Sequence, residues 1–185
     1  NAIRHSRWGQ AMAAAWLSYV AVDFLTHAVV LAPWWRTTAP FWLPPIQLLR
    51  MIPFGYLSFA LYAIGLVWLL PRLVGERPRS SQAAAYAAVV GLLVGLIQAL
   101  ANYSVFPMPA SALIVWPLSL TLGSVAAGLA AASVLTAHRP ARRLVVIFFI
   151  ALAVILIGVV FQNLLFPTPA DHLARSACSA GLPAA

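Results

Sequence analysis

Hydrophobic residues fill five long runs along the chain, separated by short breaks that are polar or contain proline. The runs cover residues 8–32, 46–70, 82–106, 110–137 and 144–166. Each run is close to the ~20 residues that a helix needs to cross a bilayer. Proline, which interrupts helices, lies at or near every break. The pattern predicts an all-α fold over residues 1–166, an integral membrane bundle of five transmembrane helices.

The shortest break lies between the third and fourth runs, where Pro107 and Pro109 leave room only for a tight turn. Small residues four positions apart occur in both runs, with Gly91 and Gly95 in the third and a serine and a glycine in the fourth. Small residues at this spacing let membrane helices approach closely. We therefore expect the third and fourth helices to form an antiparallel hairpin packed through small residues.

The composition supports a membrane protein and argues against a nucleic-acid-binding one. The chain is 63% hydrophobic and only 8% charged, whereas a soluble domain has about 25% charged residues. Its net charge of +8 comes from arginines that lie mostly in the breaks, as membrane topology requires. The single cysteine excludes an intrachain disulfide and a cysteine-based metal site. The lipid bilayer is therefore the first predicted partner, and no nucleic acid is expected.

The arginines also predict the orientation of the chain. Those expected on one side of the membrane are Arg4, Arg7, Arg72, Arg77, Arg79, Arg139, Arg142 and Arg143. The other side receives Arg36 and Arg175, with Arg50 just inside the second run. Because arginine-rich loops stay in the cytoplasm, the N-terminus is predicted to be cytoplasmic and the C-terminus outside. Residues 167–185, which are small and polar, are then predicted to be a flexible extracytoplasmic tail.

Strong polar residues inside the runs concentrate in the half of the membrane away from the arginine-rich loops. In the first run His27 lies about 7 Å and Asp23 about 14 Å below the outer end, at ~1.5 Å per residue. The predicted polar layer consists of Asp23, Arg50, Gln98, Gln162 and Asn163. Since charges are costly in lipid, we expect these groups to turn inward, with Asp23 and Arg50 as an ion pair. A purely structural role in fixing helix packing remains an alternative.

Several residues near the same side are candidates for binding a ligand. They are His27, Arg50, Asn102, Trp34 and Trp35. Together they can line a pocket for a quinone or a lipid, and His27 can ligate the metal of a pigment axially. The tryptophans also suit an interfacial anchor. Because the runs supply only Asp23 and His27 as metal ligands, and no serine has an adjacent base, neither a metal site nor an enzyme is predicted.

Three segments resemble a family of small, uncharacterised bacterial multi-helix membrane proteins whose first helix carries the pattern D-x-x-x-H. The segments are DFLTHAVVL at 23–31, MIPFGYLSFALY at 51–62 and YSVFPMP at 103–109. The resemblance covers about residues 15–135 and implies a helical fold in the bacterial cytoplasmic (inner) membrane, without a known chemistry. Relatives usually look four-helical, so the fifth run is a departure.

The first functional hypothesis is a non-catalytic accessory or structural subunit of a larger bacterial membrane complex, with other membrane subunits as partners. Small breaks, high hydrophobicity and the extra run favour it. The alternative is a membrane protein that binds a quinone, lipid or pigment in the polar layer. A small transporter is the third hypothesis, although the inner halves of the runs offer no polar path.

Overall fold

The computed structural model describes residues 2–37 and 45–165, and the side chains of residues 6–34 and 50–164. The predicted tail at 167–185 and the side chain of Trp35 therefore lie outside the described residues. The helices are α1 (Ala2–Leu25), α2 (Ala32–Thr37), α3 (Pro45–Leu73), α4 (Ser80–Val105), α5 (Ala112–Leu135) and α6 (Pro140–Leu165). A π-helical turn, Thr26–Val30, extends α1. No strand occurs among the described residues.

Within the described residues, five helical segments are long and apolar enough to cross a membrane. They are Ser6–Val30, Arg50–Leu73, Ser80–Val105, Ala112–Leu135 and Pro140–Leu164. The prediction of an all-α chain with five spans is therefore confirmed. Large apolar side chains remain exposed along α3, α4 and α6, as expected where lipid, and not water, covers the protein.

Helix α5 lies at the centre of the bundle and packs against α4, α1, α6 and α3. Its closest neighbour is α4, and the glycines explain why. A Cβ added at Gly95 would lie 2.6 Å from Pro117 Cα, and one at Gly128 would lie 2.6 Å from Ala87 Cβ. A Cβ at Gly91 would meet Ser124 Oγ at 2.5 Å. The predicted hairpin packed through small residues is confirmed, with the two backbones in near contact.

Helix α1 packs against the other side of α5 through larger side chains. Tyr19 is fully buried and lies against Gly123, whose added Cβ would meet Tyr19 Cε2 at 2.9 Å. Phe24 lies in the same way against Gly158 of α6, whose added Cβ would lie 2.9 Å from Phe24 Cε1. The glycines of α5 and α6 thus act as recesses for the aromatic side chains of α1.

The arginine-rich loops gather at one end of the bundle. There Arg7 Nη1 donates to the carbonyl of Leu135 at 3.4 Å, which joins the start of α1 to the end of α5. Arg72 lies over the Trp68 ring, with its guanidinium carbon 3.7 Å from the ring centroid. At the opposite end Trp34 Nε1 donates to Ser111 Oγ at 3.0 Å and ties the segment after α1 to the start of α5.

Candidate functional site

A cavity of about 280 Å³ lies between α3 and α4, with α1 and α5 behind it. We call it the α3–α4 cleft. Its lining residues are Tyr19, Asp23, His27, Ser58, Phe59, Tyr62, Val94, Gln98, Trp116 and Leu120. The volume is near the lower limit of small-molecule sites, which is about 300 Å³. The cleft therefore has room for a ring or a headgroup, while a longer tail would have to lie outside it.

Asp23 and His27 form the polar centre of the cleft. The Asp23 Oδ1 and His27 Nε2 atoms lie 3.4 Å apart, and the side chains are 22% and 28% exposed. Their spacing of four residues places both on one helical face. The contact between the imidazole and the carboxylate lowers the cost of holding these polar groups between membrane helices. The exposed fraction that remains faces the cavity, where a ligand can reach both groups.

The π-helical turn Thr26–Val30 begins directly beside this pair. Its wider hydrogen-bonding pattern is closed by the Leu31 amide, which donates to the carbonyl of Thr26 at 2.8 Å. Turns of this kind insert one residue into a helix and occur frequently at functional sites. His27 is the second residue of the turn, and among the described residues no residue between His27 and α3 lines the cleft.

An aromatic wall lies next to the Asp23–His27 pair. The Tyr19 ring centroid lies 4.8 Å from that of Phe59 and 5.6 Å from that of Tyr62. The Tyr62 hydroxyl is 2.7 Å from Ser124 Oγ, which in turn donates to the carbonyl of Leu120 at 2.6 Å. The bond to Ser124 fixes the orientation of the Tyr62 ring. Aromatic rings next to a polar pair give the cleft an amphipathic interior.

The cleft is closed at one end and open at the side. Towards the arginine-rich end, Tyr86 of α4 donates its hydroxyl proton to the carbonyl of Leu66 in α3 at 3.1 Å. Elsewhere α3 packs mainly on α1 and only lightly on α4. Ser58 and Gln98, on the two helices that flank the cleft, are exposed. A molecule dissolved in the surrounding lipid can therefore enter between α3 and α4.

The structure brings together only some of the residues predicted for the site. Asp23, His27 and Gln98 share the cleft, whereas Asn102 is half-buried outside its lining. Trp34 is half-buried and bonded to Ser111, also outside the lining. Of the residues predicted to bind a ligand, His27 is therefore the only described one that lines the cleft.

The expected ion pair between Asp23 and Arg50 is wrong. Arg50 is exposed near the start of α3, and within the described residues the ion-pair contact found for Asp23 is to His27. A long arginine side chain near a helix end can extend to the membrane surface, so it does not need a buried acid. Asp23 in turn finds a partner one turn along its own helix.

The inward orientation expected of Gln162 and Asn163 is also wrong. Both side chains are exposed on α6. Asn163 Nδ2 donates to the carbonyl of Val159 at 2.9 Å, so this amide satisfies part of its hydrogen-bonding capacity on its own helix. The polar layer is thus a local cluster of α1 and α4 and does not extend to α6.

The sequence did not identify the aromatic residues that line the cleft, which are Tyr19, Phe59, Tyr62 and Trp116. One signal was present, because Tyr19, Asp23 and His27 follow one another at intervals of four and so occupy one face of α1. Ser58 and Tyr62 have the same spacing on α3. No such signal exists for Trp116, whose place in the lining depends on how α5 is rotated in the bundle.

Within the described part of the chain, no three His, Cys, Asp or Glu side chains lie close enough to hold a metal ion. The groups gathered in the cleft are suited to binding: a carboxylate, an imidazole, an amide and four aromatic side chains. Compared with family models, with curated proteins and with solved structures, the chain has no match in any of the three. The resemblance described above consequently stays a prediction.

Proposed function

We propose that this chain is a non-catalytic membrane protein that binds a lipid-soluble molecule with a polar ring, of which a quinone is the class that fits best. The observation that supports the proposal is the α3–α4 cleft, where the Asp23–His27 pair lies next to an aromatic wall. Other surfaces of the five spans expose mainly apolar side chains.

The polar groups of the cleft suit a carbonyl or hydroxyl better than a phosphate. His27 and Gln98 can each donate a hydrogen bond to a ring oxygen, and Asp23 can accept one from a hydroxyl. A phosphate would meet the Asp23 carboxylate with no arginine in the lining to offset it. A phospholipid headgroup is therefore a weaker candidate than a neutral ring.

The size and the aromatic residues of the cleft favour a single small ring system. Phe59 and Tyr62 are partly exposed and line the cleft, so a flat molecule can stack against their rings, while the buried Tyr19 ring packs behind them. A tetrapyrrole pigment is too large for a cavity of about 280 Å³. In addition, His27 Nε2 faces Asp23 at 3.4 Å, which directs that nitrogen away from an axial metal bond.

The proposed location is the bacterial cytoplasmic membrane, with the arginine-rich end of the bundle in the cytoplasm. Arginine bias between loops supports this orientation. The N-terminus is then cytoplasmic and the α3–α4 cleft lies in the outer half of the bilayer.

A second candidate is an accessory subunit of a larger membrane complex. The observation that favours it is the exposure of Gln162 and Asn163 on α6, because amides on a lipid-facing helix surface gain hydrogen bonds from a neighbouring helix. Purification from the native membrane in mild detergent tests it. Stoichiometric co-purification of other subunits would support this role, and a stable lone chain would exclude it.

Quinone binding is tested with the purified chain in lipid nanodiscs. A short-chain ubiquinone or menaquinone analogue is titrated while tryptophan fluorescence is recorded, since Trp116 lines the cleft. Saturable quenching is expected, and His27→Ala and Asp23→Asn should each weaken binding by about tenfold, the loss of one hydrogen bond to a polar partner. Glu76→Gln removes a carboxylate at the arginine-rich end and serves as the matched control.

Two results would contradict quinone binding. One is quenching that rises linearly with quinone content in the bilayer and never saturates. The other is equal affinity in the wild type, His27→Ala and Asp23→Asn. Organic extracts of the protein purified from its native membrane, analysed by mass spectrometry, provide a second measurement that does not depend on the choice of analogue.

A further inference from the structure

A second cavity, of about 570 Å³, lies at the arginine-rich end of the bundle. We call it the basic cavity. It is formed by the start of α4, the end of α5 and the first turns of α6, and its charged lining residues are Arg139, Arg142 and Arg143. It is separate from the α3–α4 cleft and shares none of that cleft's lining residues.

The three arginines of this cavity differ from three others at the same end. Arg7 donates to the Leu135 carbonyl, Arg72 lies on Trp68, and Arg77 shares a separate cavity with Glu76. Within the described residues no acidic side chain lines the basic cavity. Topology alone requires arginines at this end, but it does not require three to surround one cavity.

Two helix starts add to the positive potential. Ser80 at the start of α4 lines the cavity, and α6 begins at Pro140, directly before Arg142 and Arg143. The first-turn amides of a helix lack intrahelical acceptors and carry partial positive charge, which favours an anion. By contrast, Ser133 and Thr136 donate their hydroxyl protons to their own helix, to the carbonyls of Ala130 and Ala132. Among the described residues, the groups left to bind an anion are therefore the arginines, the first-turn amides and the side chains of Ser80 and His138.

The cavity also has an apolar side that indicates which anion it takes. Val146 of α6 lines it, and the neighbouring Val145 and Phe149 are exposed on the same apolar helix. A phosphate held by the arginines would thus lie next to a surface suited to acyl chains. Basic pockets between membrane helices at this level bind the headgroups of anionic lipids.

We propose that the basic cavity is a binding site for the phosphate group of an anionic phospholipid, held by Arg139, Arg142 and Arg143. The guanidinium groups bind the phosphate oxygens with paired hydrogen bonds, and the acyl chains run along α6 past Val146. This proposal does not depend on the quinone proposal, because the two cavities share no residue.

The test uses the full chain in mild detergent, titrated with phosphatidylglycerol or phosphatidylcholine and measured by native mass spectrometry. The first phosphatidylglycerol molecule should bind at a lipid concentration roughly tenfold or more below the one that phosphatidylcholine needs. The reason is that arginines near a membrane surface attract the negative charge of phosphatidylglycerol, whereas phosphatidylcholine has no net charge. The double variant Arg142→Gln/Arg143→Gln should lose this preference. Arg72→Gln/Arg77→Gln removes the same charge from the same end, outside the cavity, and should keep it.

A salt titration of the wild-type chain keeps the test valid if the double variant does not fold. The preference for phosphatidylglycerol should shrink as sodium chloride is added, because salt screens exposed charges. Equal binding of the two lipids at low salt would overturn the proposal, as would an unchanged preference in a folded Arg142→Gln/Arg143→Gln protein. Displacement of phosphatidylglycerol by excess inorganic phosphate would show that the site takes a free anion, which would overturn the lipid assignment.

Discussion

Helix α4 packs in two different ways along its two sides, and the difference determines where the cleft forms. Towards α5 it presents Gly91, Gly95 and Ala87, so the backbones approach until an added methyl group has no room. Towards α3 it packs only lightly and borders the cleft, which Phe59 and Tyr62 of α3 also line. Small residues remove space between membrane helices, and space remains where no such face is presented. The bundle thus combines a rigid hairpin with a looser helix, and the cavity lies at their junction.

The largest expected effect comes from adding one methyl group on the side of α4 that packs against α5. Gly95→Ala would place its Cβ 2.6 Å from Pro117 Cα, a backbone atom that cannot move aside easily. We expect the free energy of unfolding to fall by about 1–3 kcal/mol, the usual cost of overpacking. Unfolding in mixed detergent and dodecyl sulfate measures it.

Gly65→Ala is the matched control, since no atom lies within 4 Å of its added Cβ. This variant should be neutral or up to about 1 kcal/mol more stable, because alanine loses less backbone entropy on folding. Equal stability of the Gly95→Ala and Gly65→Ala proteins would mean that the hairpin is not closely packed.

Filling the α3–α4 cleft should strongly weaken ligand binding while preserving the fold. Val94→Phe places a ring in the α3–α4 cleft, which we expect to weaken quinone-analogue binding by more than about tenfold, or 1.4 kcal/mol. Val89→Phe on an exposed part of α4 is the control. Fluorescence quenching in nanodiscs is the measurement, and binding that survives Val94→Phe would place the ligand elsewhere.

A smaller effect is expected when the tie between α3 and α4 is removed. Tyr86→Phe deletes the hydrogen bond to the Leu66 carbonyl, and such bonds between membrane helices contribute about 0.6 kcal/mol on average. Amide hydrogen exchange should then rise in α3 and stay unchanged in α5. Tyr62→Phe removes a bond to α5 and provides the comparison. Equal exchange in the wild type and Tyr86→Phe would show that α3 is held by other contacts.

The smallest effect is expected at Gln162. Because this side chain is exposed on α6, Gln162→Leu should change the free energy of unfolding by less than about 0.5 kcal/mol and leave ligand binding unaltered. The same unfolding and quenching assays apply. A large loss in either would mean that α6 turns this face inward and that the polar layer is wider than the cleft.

The five spans and the hairpin were predictable from the sequence because both depend on local information. The length of each hydrophobic run determines its span. Gly91 and Gly95 lie on one face of α4, whichever helix that face packs against. With the π-helical turn counted in the first span, the helix ends agree with the predicted runs within about four residues, except that α1 begins earlier, at Ala2.

The site was only partly predictable because its residues come from four helices. Asp23, His27 and Gln98 were identified as polar groups in apolar runs, which needs no tertiary information. Their partners depend on how each helix is rotated about its axis, and five weakly amphipathic helices leave those rotations undetermined by sequence. For this reason Arg50 was assigned to Asp23, and Tyr62 and Trp116 were missed.

For the proposed quinone, an entrance beside the exposed Ser58 and Gln98 determines which ligand concentration controls binding. A ligand that arrives through such an opening is dissolved in the bilayer, so occupancy depends on its mole fraction among lipids and not on its molarity in water. Two molecules with the same ring and different tail lengths would then differ greatly in apparent aqueous affinity and little in affinity within the membrane. Exchange would be governed by lateral diffusion in the lipid and by the separation of α3 from α4.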